Sequence, residues 1–155
     1  MHNIIKIDNI NDWLKYRSKG IGGSDAACIL GRNPHKSNLD LWREKTGRKI
    51  PEDISNKDVV KYGKNAEEPL RQLFILDYPQ YIVKYSPFNI HCNKELDFIR
   101  GTFDAELIEI LTEEQGIWEC KTSEIRQASD WQKWHNRIPD NYFCQVLHYF
   151  AIDED

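Results

Sequence analysis

The sequence predicts an α/β or α+β fold in which helices flank a small mixed β-sheet. Apolar residues recur at helical spacing up to about residue 77, alternate with a period of two between residues 81 and 121, and return to helical spacing from residue 124. Because a sheet must bury an apolar face against another layer, strands that lie between two groups of helices indicate a sheet covered by helices.

The first half of the chain predicts four helices with recognisable ends. Gly20 and Gly47 are typical C-terminal stops, and Ser37 is a typical N-cap. Within the fourth helix, Gly63 and Pro69 predict a bend or a break. The predicted helices cover residues 8–19, 24–30, 38–46 and 58–77.

The second half predicts strands and then two more helices. A polar turn at residues 112–115 separates the last two strands, which suggests a hairpin. Asp140 or Asn141 is suited to cap the final helix. The predicted strands cover residues 81–85, 88–92, 104–110 and 116–121, and the predicted helices cover residues 124–136 and 140–152.

The composition is that of one soluble globular domain. A chain of 155 residues, 40% of them hydrophobic, is long enough to bury a core. No apolar run approaches the roughly 20 residues of a transmembrane helix, and the N-terminal residues lack the pattern of a secretory signal. The four cysteines form no Cys-x-x-Cys pair, which favours reduced thiols over a zinc or iron–sulfur site. We therefore expect a cytoplasmic protein without a membrane partner.

Charge is distributed unevenly along the chain. Residues 1–64 carry 13 Lys/Arg and 8 Asp/Glu, whereas residues 65–155 carry 8 Lys/Arg and 17 Asp/Glu. A basic half beside an acidic half suits a phosphate-binding surface and a metal-binding pocket. The charge asymmetry alone is weak evidence for either function, since many domains show a similar asymmetry.

Two acids and a lysine lie where a β-hairpin would bring them together. Residues i and i+2 of a strand share a face, so Glu119 and Lys121 point the same way and Cys120 points the other way. If the strand after Asp104 pairs with the strand before Glu119, two carboxylates and an ammonium converge, which suits a divalent metal and an activated water. Solvated charges at strand ends are the alternative, although charges in an apolar strand are costly unless paired or metal-bound.

A third acid lies on the predicted fourth helix. Glu67 is one turn from Arg71, and Leu70, Leu73 and Phe74 form an apolar stripe. Two interpretations remain open. The acid and the arginine form a solvated ion pair on a surface helix, or Glu67 leans over the sheet as a third carboxylate.

Two further segments carry groups that suit phosphate or a polar site. The glycines between Arg17 and Ser24 let backbone N–H groups approach an anion, Ser24 adds a hydroxyl at a helix N-terminus, and Arg17 adds a guanidinium. An ordinary N-capped turn is the alternative. On the last helix Gln145 and His148 share a face; Gln145 is the better site candidate, and His148 is typical of a packed or surface histidine.

Together these segments resemble the YqaJ-type viral recombinase family, relatives of lambda exonuclease within the PD-(D/E)XK nuclease superfamily. The matching motifs occupy residues 17–34, 41–47, 63–74, 101–104, 118–122 and 145–149, in the family order. The resemblance implies a restriction-endonuclease-like fold with a mixed central sheet flanked by helices. It also implies a single nuclease domain over residues 1–155, C-terminally short beside full-length relatives.

The resemblance further implies which residues form the site. The implied catalytic residues are Glu67, Asp104, Glu119 and Lys121; the implied metal ligands are Asp104, Glu119, the carbonyl of Cys120, and Glu67; and the implied DNA-phosphate-binding residues are Arg17, Ser24, Thr102 and Gln145. By the same resemblance Lys121 orients or helps to deprotonate the attacking water. The implied cofactor is Mg²⁺, for which Mn²⁺ can substitute.

The implied activity is Mg²⁺-dependent hydrolysis of DNA phosphodiester bonds. We expect a 5′→3′ exonuclease that acts on linear double-stranded DNA in phage-type recombination. The expected partners are double-stranded DNA, a single-strand-annealing protein and further copies of the chain. The alternative is a non-catalytic DNA-end-binding or regulatory module with the same fold.

Overall fold

The computed structural model describes residues 2–152, which form six helices and six strands. The helices are α1 (Ile10–Ser18), α2 (Gly23–Ile29), α3 (Asn38–Lys45), α4 (Asp58–Asp77), α5 (Ala128–Trp134) and α6 (Asp140–Phe150). The strands are β1 (Asn3–Ile5), β2 (Tyr81–Lys84), β3 (Ile90–Cys92), β4 (Arg100–Gly101), β5 (Ala105–Glu109) and β6 (Gln115–Trp118). Between residues 2 and 152 no helix is both long enough and apolar enough to span a bilayer.

The predicted α/β class is confirmed, but the strands pair differently from the expectation. They form two three-stranded antiparallel sheets, in the orders β1-β3-β4 and β2-β5-β6, rather than one mixed central sheet. A parallel bridge joins Ile21 to Ile99. The unpredicted strands β1 and β4 have three and two residues, which is too short for an alternating pattern to be visible.

The chain divides into two compact units, which we describe separately. The first unit contains residues 2–51, 88–102 and 125–152, and the second contains residues 52–87 and 103–124. The expectation of a single domain stays a prediction.

In the first unit, α2 packs closely against α6. Ala26 and Ala27 of α2 and Cys144 of α6 form a buried cluster of small residues. The helices lie close together at Gly23, where an added Cβ would lie 2.7 Å from Cε1 of Tyr149 and 2.9 Å from Cγ of Gln145. A residue larger than glycine therefore does not fit at this position.

The other layer of the first unit is the sheet β1-β3-β4. Its central strand β3 is buried along its whole length, as expected for a strand with neighbours on both sides. Arg100 of β4 is also buried, and its guanidinium donates hydrogen bonds to the carbonyl oxygens of Tyr16 (2.9 Å) and Asp97 (2.7 Å). This arginine fastens the end of α1 to the strand that leads to Thr102.

In the second unit, the long helix α4 packs against the sheet β2-β5-β6. The helix runs without interruption for 20 residues with Pro69 inside it, so it does not break at Gly63 or Pro69, and the predicted bend stays a prediction. Packing explains its continuity, since the Phe74 ring lies 6.1 Å from the ring of Tyr81 on β2 and 6.0 Å from that of Trp118 on β6. Such contacts compensate for the one hydrogen bond that a proline removes.

The buried face of α4 differs from the predicted apolar stripe. Arg71 is only 4% exposed, whereas Leu70 and Leu73 are 36% and 51% exposed. Gly63, Glu67, Arg71 and Phe74 follow one another at spacings of three or four residues and therefore share one helix face. The helix thus buries a face that carries charge, which excludes the solvated surface ion pair as the role of Arg71.

Candidate active site

The hairpin of the second unit brings the predicted acids together. Strands β5 and β6 pair antiparallel with Ala105 opposite Trp118, so Asp104 and Glu119 are the next opposite positions beyond the ladder. The Asp104 carboxylate accepts a hydrogen bond of 2.8 Å from the backbone N–H of Cys120. The predicted pairing of the two strands is therefore confirmed, and the first acid is anchored beside the second.

The lysine of the motif contacts the second acid directly. The ammonium of Lys121 forms an ion pair with the carboxylate of Glu119. The Glu119 side chain is only 13% exposed and the Lys121 side chain 28% exposed. The Glu119 charge is thus largely withdrawn from water and the Lys121 charge partly so, which argues against simple solvated charges at a strand end.

Glu67 belongs to the same electrostatic group. Burial and the negative charge of Asp104 raise the pKa of Glu67, the charge of Glu119 adds to the rise, and the positive charges of Lys121 and Arg71 oppose it. Helix α4 also comes close to the segment after β6, since a Cβ added to Gly63 would lie 3.3 Å from Oγ1 of Thr122. The helical acid therefore faces the hairpin acids.

The thiol of Cys120 differs in character from these acids. Burial raises the pKa of Cys120, and the negative charges of Asp104 and Glu67 raise it further. A thiol that resists ionisation is a poor metal ligand, which leaves the backbone carbonyl as the donor that Cys120 can offer. Three carboxylates and a carbonyl oxygen, as donors to one ion, would suit Mg²⁺ or Mn²⁺ rather than Zn²⁺.

Three of the four predicted phosphate-binding residues are connected within the first unit. Ser24 is exposed in the first turn of α2, directly after Gly23, which packs against Gln145. The amide of Gln145 donates to the hydroxyl of Tyr149 (2.6 Å), and that hydroxyl donates to the carbonyl of Thr102 (3.1 Å). Helix α6 therefore links the turn at Ser24 to the strand end at Thr102.

The remaining features of the predicted phosphate site are Arg17 and the glycine turn before α2. Arg17 is exposed on α1, with its guanidinium 4.9 Å from the ring of Trp13. The backbone N–H of Gly22 is bonded to the carboxylate of Asp25 (3.0 Å), so this amide is engaged within the turn. Lys45 in turn forms an ion pair of 2.7 Å with Asp25. Ser24 is left as the turn's exposed hydroxyl.

His148 has the structural role that the sequence favoured. Its Nε2 lies 2.8 Å from the carbonyl oxygen of Arg100, and its side chain is half-buried. The expectation of a packed histidine is confirmed.

Two residues were not recognised from the sequence as parts of these groups. Arg71 resembled a surface residue because it has an acid one turn earlier and because Leu70 and Leu73 suggested that another face of the helix is buried. Tyr149 is one of many aromatic residues in the last helix, and only its distance from Thr102, 47 positions away, reveals its contact. The spacing of Gly63, Glu67 and Arg71 on one helix face could have indicated that the arginine is buried.

Comparison with known proteins places the chain in a family. The family model described as the YqaJ-like viral recombinase domain matches residues 12–154. The chain is also 32% identical over 142 residues to a protein of Bacillus subtilis (strain 168) named uncharacterized protein YqaJ. That alignment covers 92% of this chain and 42% of the relative, so the chain spans less than half the relative's length. On the match to the family model, the chain belongs to the YqaJ-like viral recombinase domain family.

Proposed function

We propose that this chain is a Mg²⁺-dependent deoxyribonuclease of phage-type recombination, acting as a 5′→3′ exonuclease on linear double-stranded DNA. The family description names a viral recombinase domain. Recombination requires DNA ends to be processed, and hydrolysis of a phosphodiester is the reaction that the acids and the lysine can support.

One observation carries the proposal more than any other. Asp104 and Glu119 lie opposite each other at the end of the hairpin, and Lys121 is paired with Glu119. Nothing in the packing of a small domain calls for this arrangement, because partly buried like charges are costly. A site that must hold a cation provides a reason for it.

Each residue has a distinct role in the proposed reaction. Asp104, Glu119, the Cys120 carbonyl and Glu67 would hold the metal, which when bound would polarise the scissile phosphate and lower the pKa of a water. Lys121 orients the attacking water and places positive charge where the phosphorane develops negative charge. Glu67, whose pKa is raised by burial and by the negative charge of Asp104, would accept the proton of that water.

The first unit supplies the groups proposed to bind DNA. Arg17, Ser24, Thr102 and Gln145 are assigned to a terminal 5′-phosphate or to the backbone beside it. The exposed hydroxyl of Ser24 and the exposed guanidinium of Arg17 are chemically suited to that role. A single-strand-annealing protein and further copies of the chain remain the proposed partners.

The decisive test compares substrates that differ only in their ends. The protein is incubated with Mg²⁺ and linear duplexes that bear 5′-phosphate or 5′-hydroxyl ends, and with a covalently closed circle. We expect degradation of the linear substrates alone, faster from the 5′-phosphate. Lys121→Ala is expected to slow the reaction at least about 100-fold, because it removes the charge that stabilises the transition state.

Lys133→Ala is the matched control, because Lys133 also forms an ion pair, with Asp130, but lies in the first unit on α5. It should leave the rate unchanged. Cutting of the circle would replace the exonuclease by an endonuclease. Tight binding of DNA ends without cleavage, with either Mg²⁺ or Mn²⁺, would instead favour the non-catalytic end-binding module.

A further inference from the structure

Arg71 is an unusual residue to find inside the second unit. The residue is only 4% exposed, although a buried charge is costly and destabilises the fold strongly when its partner is lost. A leucine or methionine at this position of α4 would pack without that cost. The guanidinium must therefore be retained for its contacts.

Those contacts use one face of the guanidinium group and two of its edge nitrogens. Nη1 donates a hydrogen bond of 3.0 Å to the backbone carbonyl of Asp104, and Nη2 pairs with the carboxylate of Glu68. The guanidinium carbon lies 3.7 Å from the centre of the Tyr85 ring. Because a guanidinium is planar and rigid, these three contacts fix its position.

The contact with Asp104 reaches the site through two hydrogen bonds. Arg71 holds the main chain of Asp104, and the side chain of Asp104 accepts the N–H of Cys120. Arg71 lies one turn after Glu67 on the same helix face. One side chain therefore joins the helix that carries Glu67 to the hairpin end that carries Asp104 and, opposite it, Glu119.

We propose that Arg71 is a positioning residue that sets the distance between the helical acid Glu67 and the hairpin acids, and thereby the affinity of the site for its metal. The inference rests on the proposed function for the metal. The fixing of Asp104 beside Cys120 does not depend on it. Groups of this kind, which orient a ligand without touching the metal, typically change metal affinity about 10–100-fold when altered.

Arg71→Lys is the test, because lysine keeps the charge and loses the fork of donors. The matched control is Arg100→Lys, since Arg100 is also buried and also bonded to backbone carbonyls, but lies in the first unit. Both variants are expected to lose stability. Only Arg71→Lys should change the distance between Glu67 and the hairpin acids.

The first measurement is amide hydrogen exchange at Cys120 in protein freed of metal by a chelator. Arg71→Lys is expected to accelerate exchange at this amide about 10-fold or more relative to the amides of the neighbouring strand β6, whereas Arg100→Lys should leave that ratio unchanged. The second measurement is the affinity for Mg²⁺ and Mn²⁺ by titration calorimetry, where a loss of about 10-fold or more is expected for Arg71→Lys alone.

Unchanged exchange at Cys120 and unchanged metal affinity in a folded Arg71→Lys protein would overturn the inference. If that variant does not fold, Glu68→Gln removes the carboxylate partner of Arg71 at a largely exposed side chain, and the same two quantities should change in the same direction, by less. Failure of the wild type to bind metal would instead contradict the proposed function, and the exchange at Cys120 would still test the role of Arg71.

Discussion

At the scale of single residues, the candidate site concentrates negative charge. Glu67, Asp104 and Glu119 place negative charge in a partly buried region, and the raised pKa of Glu67 reflects burial and repulsion by Asp104. For a carboxyl whose pKa is raised in the folded state, ionisation costs folding free energy above the pKa of the unfolded chain. The ionised carboxylate of Glu67 should therefore destabilise the metal-free protein near neutral pH.

Glu67→Gln tests this cost. Without metal and at about pH 8, the variant should melt a few degrees above the wild type, because it removes one of the repelling charges. At about pH 4, where the glutamate is largely protonated in both states, the two Tm values should converge. Thermal melts in a chelator at both pH values provide the measurement.

Glu114→Gln, in the exposed loop between β5 and β6, is the control and should leave Tm unchanged at both pH values. Equal melting of the wild type and Glu67→Gln at about pH 8 would mean that Glu67 is effectively solvated. The same variant should also lose most of the proposed nuclease activity.

Prediction from the sequence succeeded for the residues whose neighbours are set by local geometry. The period of a strand predicts that Glu119 and Lys121 point the same way, and they do pair, although β6 ends at Trp118 and both lie just beyond it. The approach of Asp104 follows from a hairpin. The contacts of Arg71 could not be predicted in this way. Its burial depends on which face of α4 turns inward, and the leucines at positions 70 and 73 suggested another face.

At the scale of elements, the packing of α2 against α6 depends on one glycine. An added Cβ at Gly23 would meet the Tyr149 ring and the Gln145 side chain at less than 3 Å, whereas one at the adjacent Gly22 would lie 3.7 Å from the Asp25 carboxylate. Neighbouring positions with the same residue type thus differ sharply in the space around them.

Gly23→Ala is expected to destabilise the protein by about 1–3 kcal/mol, because the Tyr149 ring must move and its hydrogen bond to Thr102 must stretch. Gly22→Ala should cost about 1 kcal/mol or less, which is the usual loss at an N-cap. Denaturant unfolding of both variants measures the difference. Equal losses would show that the two helices can separate without strain.

The elements themselves were predicted where periodicity extends over several turns. Helices α1, α3 and α4 and the hairpin β5–β6 lie close to their expected positions. Strands β1 and β4 exist because each pairs with β3, and a pairing between distant segments leaves no local signal. The continuity of α4 through Pro69 has the same origin, since tertiary packing offsets the local preference of a proline.

At the scale of the whole molecule, the charge asymmetry follows the two units. The second unit, residues 52–87 and 103–124, contains 6 Lys/Arg and 13 Asp/Glu, and the rest of the chain contains 15 Lys/Arg and 12 Asp/Glu. The excess of acidic over basic residues thus lies in the unit with the candidate metal ligands. The excess of basic residues lies in the unit with the candidate phosphate ligands. Splitting the sequence at residue 64 only approximated this distribution of charge.

Binding of DNA should therefore weaken with salt through the residues of the first unit. Arg17→Ala is expected to reduce the slope of log affinity against log salt concentration by about one, as for the loss of one phosphate contact. Arg137→Ala should leave the slope unchanged, because this arginine is paired with Asp140. Fluorescence anisotropy with a duplex in a chelator, at several salt concentrations, measures both, and an unchanged slope for Arg17→Ala would remove it from the phosphate site.

The register of the hairpin has a consequence for how the gene can vary. Ala105 opposite Trp118 fixes the spacing of the acids at one end of the ladder, while the loop that joins the strands lies at the other end. A single-residue insertion within β5 or β6 would reverse which side chains face inward and separate Asp104 from Glu119. Insertions in the loop leave that pairing intact, so the hairpin tolerates length changes at its tip and none along its strands.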